Sequence, residues 1–149
     1  MDEQRFSQVL NTNVMSCFLC SKQAVKRMST RYGGAGGTIV NVSSGAAKSG
    51  SPNEYVDYAA SKGAIDSLTK GLALEVAGEG IRVDAVRPGL IYTDIHTAGG
   101  EPKRIDRLKS KIPMQRGGEP AEVAAAIYWL ASKNASFVTG SFVDIAGGL

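Results

Sequence analysis

Thr38-Ile39-Val40-Asn41-Val42, then a helical stretch from about Tyr55 to Ala77, then Ile81-Arg82-Val83-Asp84-Ala85-Val86 follow one another along the chain, and this run decides the fold. The two outer pieces are short and rich in β-branched residues, which marks them as buried strands. The middle piece is closed by Gly78 and Gly80, residues that end helices. Its face is unusual in being built of small residues. Two strands joined by a helix of that length predict a parallel pair with a right-handed crossover. On the N-terminal side, Asp2 to Met28 reads as helix. A short amphipathic piece ends near Leu10, Asn11-Thr12-Asn13 form a join, and a longer piece carries Val14, Phe18, Val25 and Met28 toward a core. Gly33, Gly34, Gly36 and Gly37 terminate it. On the C-terminal side, Arg87-Pro88-Gly89 stops the second strand, and Leu90 to Gly118 is irregular and polar, with His96, a Gly99-Gly100 pair and six basic residues between Lys103 and Arg116. Glu119-Pro120-Ala121-Glu122 opens a helix with proline in the first turn and acids at its positive end, and Val123, Ile127 and Leu130 supply its apolar stripe. Ser141-Phe142-Val143-Asp144-Ile145 reads as a last strand. This alternation predicts an α/β layer fold on a parallel sheet, one unit over residues 1–149, without repeat, heptad series or domain boundary.

Composition bounds the function. The chain has 149 residues, 43% hydrophobic and 21% charged, as expected of a globular domain. Its 18 glycines come with only 5 prolines and no three-residue period, which excludes collagen-like and proline-rich linker classes. A net charge of +3 is too mild to argue for nucleic acid or an anionic membrane. The longest apolar run, Val123 to Ala131, is too short to span a bilayer. The opening Met1-Asp2-Glu3-Gln4-Arg5 is polar and acidic, unlike a secretory signal, so the expected compartment is a reducing cytoplasm with Cys17 and Cys20 as thiols.

Three groups of residues could carry chemistry. Tyr58 and Lys62 are spaced i, i+4 on the long helix and leave the same face. An ammonium beside a phenol favours phenolate, which brings a tyrosine toward use as a general acid or base. The spacing alone is common, and a solvated surface pair is its ordinary meaning. Ser43 and Ser44 follow the first strand, where ligands of parallel α/β sheets bind, although serines there more often serve as loop or cap residues. Pro88-Gly89 and Leu90-Ile91-Tyr92-Thr93 end the second strand at the same edge, where amides and the Thr93 hydroxyl could hold a polar ring substituent.

Taken together these residues resemble the short-chain dehydrogenase/reductase family. Asn13 in Asn13-Val14-Met15-Ser16-Cys17-Phe18 looks like the family's active-site asparagine at a helix break. Ile39-Val40-Asn41-Val42-Ser43-Ser44 resembles the strand ending in the catalytic serine, normally the second of such a pair. Tyr58-Ala59-Ala60-Ser61-Lys62-Gly63 matches the tyrosine-lysine signature. Ile81 to Gly89 with Thr93 looks like the nicotinamide-holding segment, and Gly118 to Ala124 with Val138 to Gly148 resemble the last helix and strand. The resemblance covers essentially the whole chain. It implies the C-terminal, catalytic part of a doubly wound, Rossmann-like domain and hydride transfer between NAD or NADP and a small carbonyl/alcohol substrate. Tyr58 would be the acid, Ser44 a hydrogen-bond donor to the substrate oxygen, Lys62 the group that lowers the tyrosine pKa and holds the ribose, and Asn13 the anchor of a relay water. Pro88, Gly89, Ile91 and Thr93 would border the cofactor, with Ile91 using its backbone and Thr93 its hydroxyl on the carboxamide. The long helices would pair in a homodimer or homotetramer.

Departures from the family pattern are visible. Asp84 stands where asparagine is more usual. Ser44 and Tyr58 are 14 apart, one more than in many members, so the loop bulges or Ser43 takes part. The family's glycine-rich pyrophosphate turn does not occur in this sequence, and Gly33 to Gly37 follows a helix and precedes a strand, the reverse of what that turn requires. A non-catalytic, truncated chain that keeps the oligomer-forming helices is therefore the alternative. Cys17-Phe18-Leu19-Cys20 has redox spacing, but lies within a helix, where small core or interface residues are the plainer reading. With one histidine, no zinc site is expected. His96 is a substrate contact or a solvated loop residue. Ile105, Leu108, Ile112 and Met114 interrupt the basic stretch in the manner of an amphipathic lid, with a phosphate-bearing substrate as a lesser option.

Overall fold

The computed structural model describes residues 2–98 and 100–149, so Gly99 of the Gly99-Gly100 pair lies outside the described residues. The chain opens with α1 (Glu3–Leu10), passes through a π-helical turn over Asn11–Met15 and continues as α2 (Ser16–Met28). Strand β1 (Gly37–Val42) leads through the short α3 (Ala46–Ser49) to α4 (Val56–Val76). Strand β2 (Ile81–Pro88) is followed by α5 (Ile95–Ala98), α6 (Arg104–Leu108), α7 (Pro120–Ala131) and β3 (Phe142–Ile145). The sheet is parallel in the order β1-β2-β3, with Gly37 opposite Ile81 and Ala85 opposite Phe142. The expected parallel α/β arrangement is present.

Strand alternation explains the two layers of helix. Ile81 and Val83 join Ala73 and Val76 of α4 in a buried cluster, against which Val25, Met28, Ile39 and Leu72 pack. The residues between them face α7, which packs across all three strands. There the Arg82 guanidinium donates to the carbonyls of Leu130 at 2.8 Å, Ser132 at 3.1 Å and Val138 at 3.1 Å, satisfying orphan acceptors at the end of α7. The strands start where Gly36 and Gly80, both left-handed, meet so closely that a Cβ on Gly36 would lie 2.5 Å from the Gly80 carbonyl oxygen.

Two expectations are corrected. Phe18 does not point into the core but is 46% exposed, as are Met15 and Leu19 beside it. The inward stripe of α2 runs instead through Cys17, Ser21, Val25 and Met28, so Phe18 falls one position outside it. The stretch from Leu90 to Gly118 is not structureless, since it holds two short helices and a 3-10 turn at Lys109–Lys111, pinned by buried Ile105 and Ile112. Met114, assigned above to the same apolar side, is 61% exposed.

Candidate active site

The carboxyl ends of β1 and β2 open into a cavity of about 1180 Å³ bordered by Ser44, Tyr58, Lys62, Pro88, Gly89, Ile91, Thr93 and His96. Parallel strands deliver their C-terminal loops to one edge, so this is where the fold gathers polar groups. Ser43 and Ser44 have distinct tasks. The buried Ser43 hydroxyl donates to the Lys62 carbonyl at 3.2 Å and its amide to Val86, tying β1 to both neighbours. The Ser44 oxygen accepts the Ala46 amide at 3.1 Å, and Ser44 shares the cavity wall with Tyr58. The loop between them holds α3 and left-handed Ser51 and Asn53, and Ser43 lines the cavity together with Ser44.

Tyr58 and Lys62 are brought together by α4, but not as an isolated phenol–ammonium pair. The Lys62 ammonium lies 5.5 Å from the centre of the Tyr58 ring and donates to the Val42 carbonyl at 2.9 Å. Burial holds the Tyr58 phenol above its ordinary pKa, and the neighbouring Ser44 hydroxyl pulls it partly back. The phenol thus stands above its ordinary range, with the Lys62 cation facing the ring and a carbonyl. Burial in turn pushes the Lys62 amine down, while Cys17 and Asp66 act to raise it.

Asn13 occupies the π-helical turn, the irregularity expected there, and its amide donates to the Ser61 hydroxyl at 2.9 Å. It is outside the cavity lining, and its partner Ser61 directly precedes Lys62 on α4. Thr93 donates to the Ile91 carbonyl at 3.4 Å, and the His96 ring nitrogen Nε2 lies 3.0 Å from the same oxygen. A Cβ on Gly89 would lie 2.9 Å from Ala146, so that glycine serves the β2–β3 junction. Asp84, fully buried, accepts the Ser141 amide at 3.0 Å and lies 3.4 Å from Arg82, away from the cavity. Cys17 and Cys20 are free thiols, and burial pushes Cys17 up. Among the described residues no cluster of histidine, cysteine and carboxylate could hold a metal, and no helix is long and apolar enough to cross a membrane.

A charged rim went unnoticed in the sequence. Arg104 of α6 pairs with Glu54 and, at 3.0 Å, with Glu101, and lies 5.3 Å over the Tyr55 ring. Arg107 reaches Glu101 at 2.6 Å. Glu54 lies 50 residues before Arg104 along the chain, and only the fold reveals that pairing. The basic stretch is thus partly neutralised and latched to the segment preceding α4.

A family model described as Enoyl-(Acyl carrier protein) reductase matches residues 1–149. The chain is a member of the short-chain dehydrogenase/reductase family. It is 66% identical over 145 residues to an uncharacterized oxidoreductase, YgfF, of Escherichia coli, covering 97% of this chain and 59% of that protein. A glucose and ribitol dehydrogenase homolog of Oryza sativa is 43% identical over 150 residues, covering 99% of this chain and 50% of the relative. Among solved structures, ElxO with NADP bound superposes with a TM-score of 0.87 at 36% identity, covering 99% of this chain and 59% of that one. The chain therefore spans about half to three fifths of the length of these relatives, and the Rossmann-like fold is common to them.

Proposed function

We propose that the chain is the catalytic part of an NAD(P)-dependent oxidoreductase acting on a small carbonyl/alcohol pair. The observation that carries this reading is the half-buried Tyr58 phenol at the carboxyl edge of the parallel sheet, on one cavity wall with Ser44 and with the Lys62 ammonium 5.5 Å from its ring centre. Burial keeps Tyr58 protonated near neutral pH, which suits it to give its proton to a substrate oxygen in the reductive direction. Ser44 donates a hydrogen bond to the same oxygen and sets its distance from the phenol.

A nicotinamide dinucleotide, when bound, supplies or accepts the hydride. The residues at the cavity fit its nicotinamide-ribose end. Lys62 has three N–H donors and one is spent on Val42, leaving capacity for ribose hydroxyls. Ile91 and Thr93 line the same cavity and would hold the carboxamide, with Pro88 and Gly89 shaping the turn. Asn13, held by Ser61 one position before Lys62, would anchor the relay water. The pyrophosphate end has no such fit at Gly33–Gly37, since Gly34 packs against Met28 and Gly36 against Gly80.

Tyr58→Phe in the intact protein is expected to cut carbonyl reduction by about 10²–10⁴-fold, the usual worth of a positioned acid, and unchanged turnover would overturn the reading. The second reading is that the 149-residue chain by itself does not hold a dinucleotide. Titrating the 149-residue chain with NADH and NADPH by nicotinamide fluorescence separates the two, and tight binding removes the second. For partners, a second copy is proposed on the exposed Met15, Phe18 and Leu19 of the helix layer.

A further inference from the structure

Tyr58, Lys62 and Asp66 recur every four residues on α4, so they form one stripe with successive Cβ atoms about 5–6 Å apart. Asp66 is absent from the chemistry above, yet it is held with care. Its Oδ2 accepts from Arg87 Nε at 3.0 Å and Nη2 at 2.8 Å. Arg87 is itself shared, lying 3.7 Å from Asp144 and 4.1 Å over the Phe142 ring, while Asp144 also takes Lys48 at 2.7 Å. The other oxygen, Asp66 Oδ1, is buried and has no hydrogen-bond partner. A buried acceptor left unmade is costly, so its retention points to a use for the charge.

Lys62 supplies that use, because it is short of anions. From β1 it meets the Val42 carbonyl, a dipole without net charge, and from its own helix the Tyr58 ring and Asp66. From α2 it meets the Cys17 thiol, whose proton is held more tightly by burial and which therefore stays neutral near pH 7. From β2 comes Arg87, a cation turned onto Asp66. Asp66 lies one turn beyond Lys62 on the same face of α4, and its charge opposes the loss of the proton that burial promotes.

We propose that Asp66 is a positioning residue that keeps Lys62 an ammonium facing the cavity, with Arg87 fixing the Asp66 rotamer. The proposal rests on the role given to Lys62 above. It is tested on the 149-residue chain by reductive ¹³C-methylation of lysines and NMR titration, with the Lys62 resonance assigned from a Lys62→Arg control. Asp66→Asn should lower the Lys62 titration midpoint by about half a pH unit or more, a threefold change in proton affinity, and Asp66→Glu should restore it. Should Asp66→Asn fail to fold with Arg87 unpaired, the carboxylate is removed in an Arg87→Met background instead, where Asp66→Asn combined with Arg87→Met should titrate below Arg87→Met alone. An unchanged midpoint in a folded variant overturns the proposal. In the intact enzyme the alkaline limb of the kcat/KM profile should move to lower pH in Asp66→Asn. A fallen midpoint with an unmoved limb upholds Asp66 as the support of the ammonium and removes the role of Lys62 instead.

Discussion

Asp84 shows how a single side chain can be set against its surroundings and still be kept. It is fully buried, and burial lifts its carboxyl above the ordinary range even though the Ser141 amide and Arg82 pull the other way. Its charged form therefore costs stability at neutral pH, and the cost fades as pH falls through the raised value. Asn in its place keeps an acceptor for Ser141, and Arg82 keeps Thr38 and three carbonyls. Asp84→Asn is expected to raise the Tm at pH 7 by about 2–4 °C, roughly 1 kcal/mol in a chain of this size, with the gain shrinking toward pH 4. A lower Tm at pH 7 would show that the Arg82 charge pair dominates. Asp57 has the opposite sign. Its buried carboxylate is held below the ordinary range, first by the hydrogen bond from Arg5 at 2.5 Å, so the stability it brings is present above the unfolded value near 3.8 and is lost as pH falls through the lower folded value. Arg5→Gln should lower Tm most at neutral pH and match the parent in strong acid, as thermal melts across pH 2–7 will read.

At the scale of elements, α7 begins where the sequence said it would because two signals agree there. Pro120 takes the first turn, and the Glu122 carboxylate accepts the Glu119 amide at 2.8 Å while pairing with Arg116 at 2.6 Å. Arg116 and that amide hold the Glu122 pKa down at about 2, so its contribution to the helix start persists from neutral pH until that value is approached. Glu122→Gln should lower Tm at pH 7 and not at pH 2. The β2–β3 junction is tight where Gly89 meets Ala146 at 2.9 Å from a would-be Cβ, so Gly89→Ala should cost about 1–3 kcal/mol by overpacking, measurable in urea. Elements such as α4 and β2 were legible because periodicity, stop glycines and β-branched runs are local signals. The segment after Thr93 was not, because its short helices are held by Arg104 and Arg107 bonding to Glu54 and Glu101, and Glu54 lies far away in sequence. The same limit hid the site's support. The order of Ser44, Tyr58 and Lys62 could be read, but the face that Lys62 presents to Tyr58, and Arg87 on Asp66, required the packed sheet.

The whole molecule presents apolar surface on both sides of its sheet. On the helix layer of α2 and α4, Met15, Phe18 and Leu19 are 46–49% exposed and Leu74 is 71% exposed. On the opposite layer, Tyr128 is 78% exposed and Trp129 44%, with Phe137 fully exposed just after α7. Clustered large apolar side chains of this kind mark contact surfaces. A two-fold contact is self-complementary, so each patch can bury itself only against the same patch of a second copy, and roughly 800 Å² per partner makes such a contact stable. Because the patches lie on opposite layers, one two-fold axis cannot serve both, and using both gives a tetramer built from two kinds of contact. Neither patch belongs to the buried cluster of Ala73, Val76, Ile81 and Val83, so a charge placed on either should spare the fold. Leu19→Lys is therefore expected to halve the mass found by light scattering while leaving the Tm of the dissociated species close to that of a dilute parent sample. Leu19→Lys combined with Tyr128→Lys should give a monomer at every concentration. A parent chain that is already monomeric at high concentration would assign these side chains to contacts with some other polypeptide, and a Leu19→Lys variant of undiminished mass would place the association on the α7 layer alone.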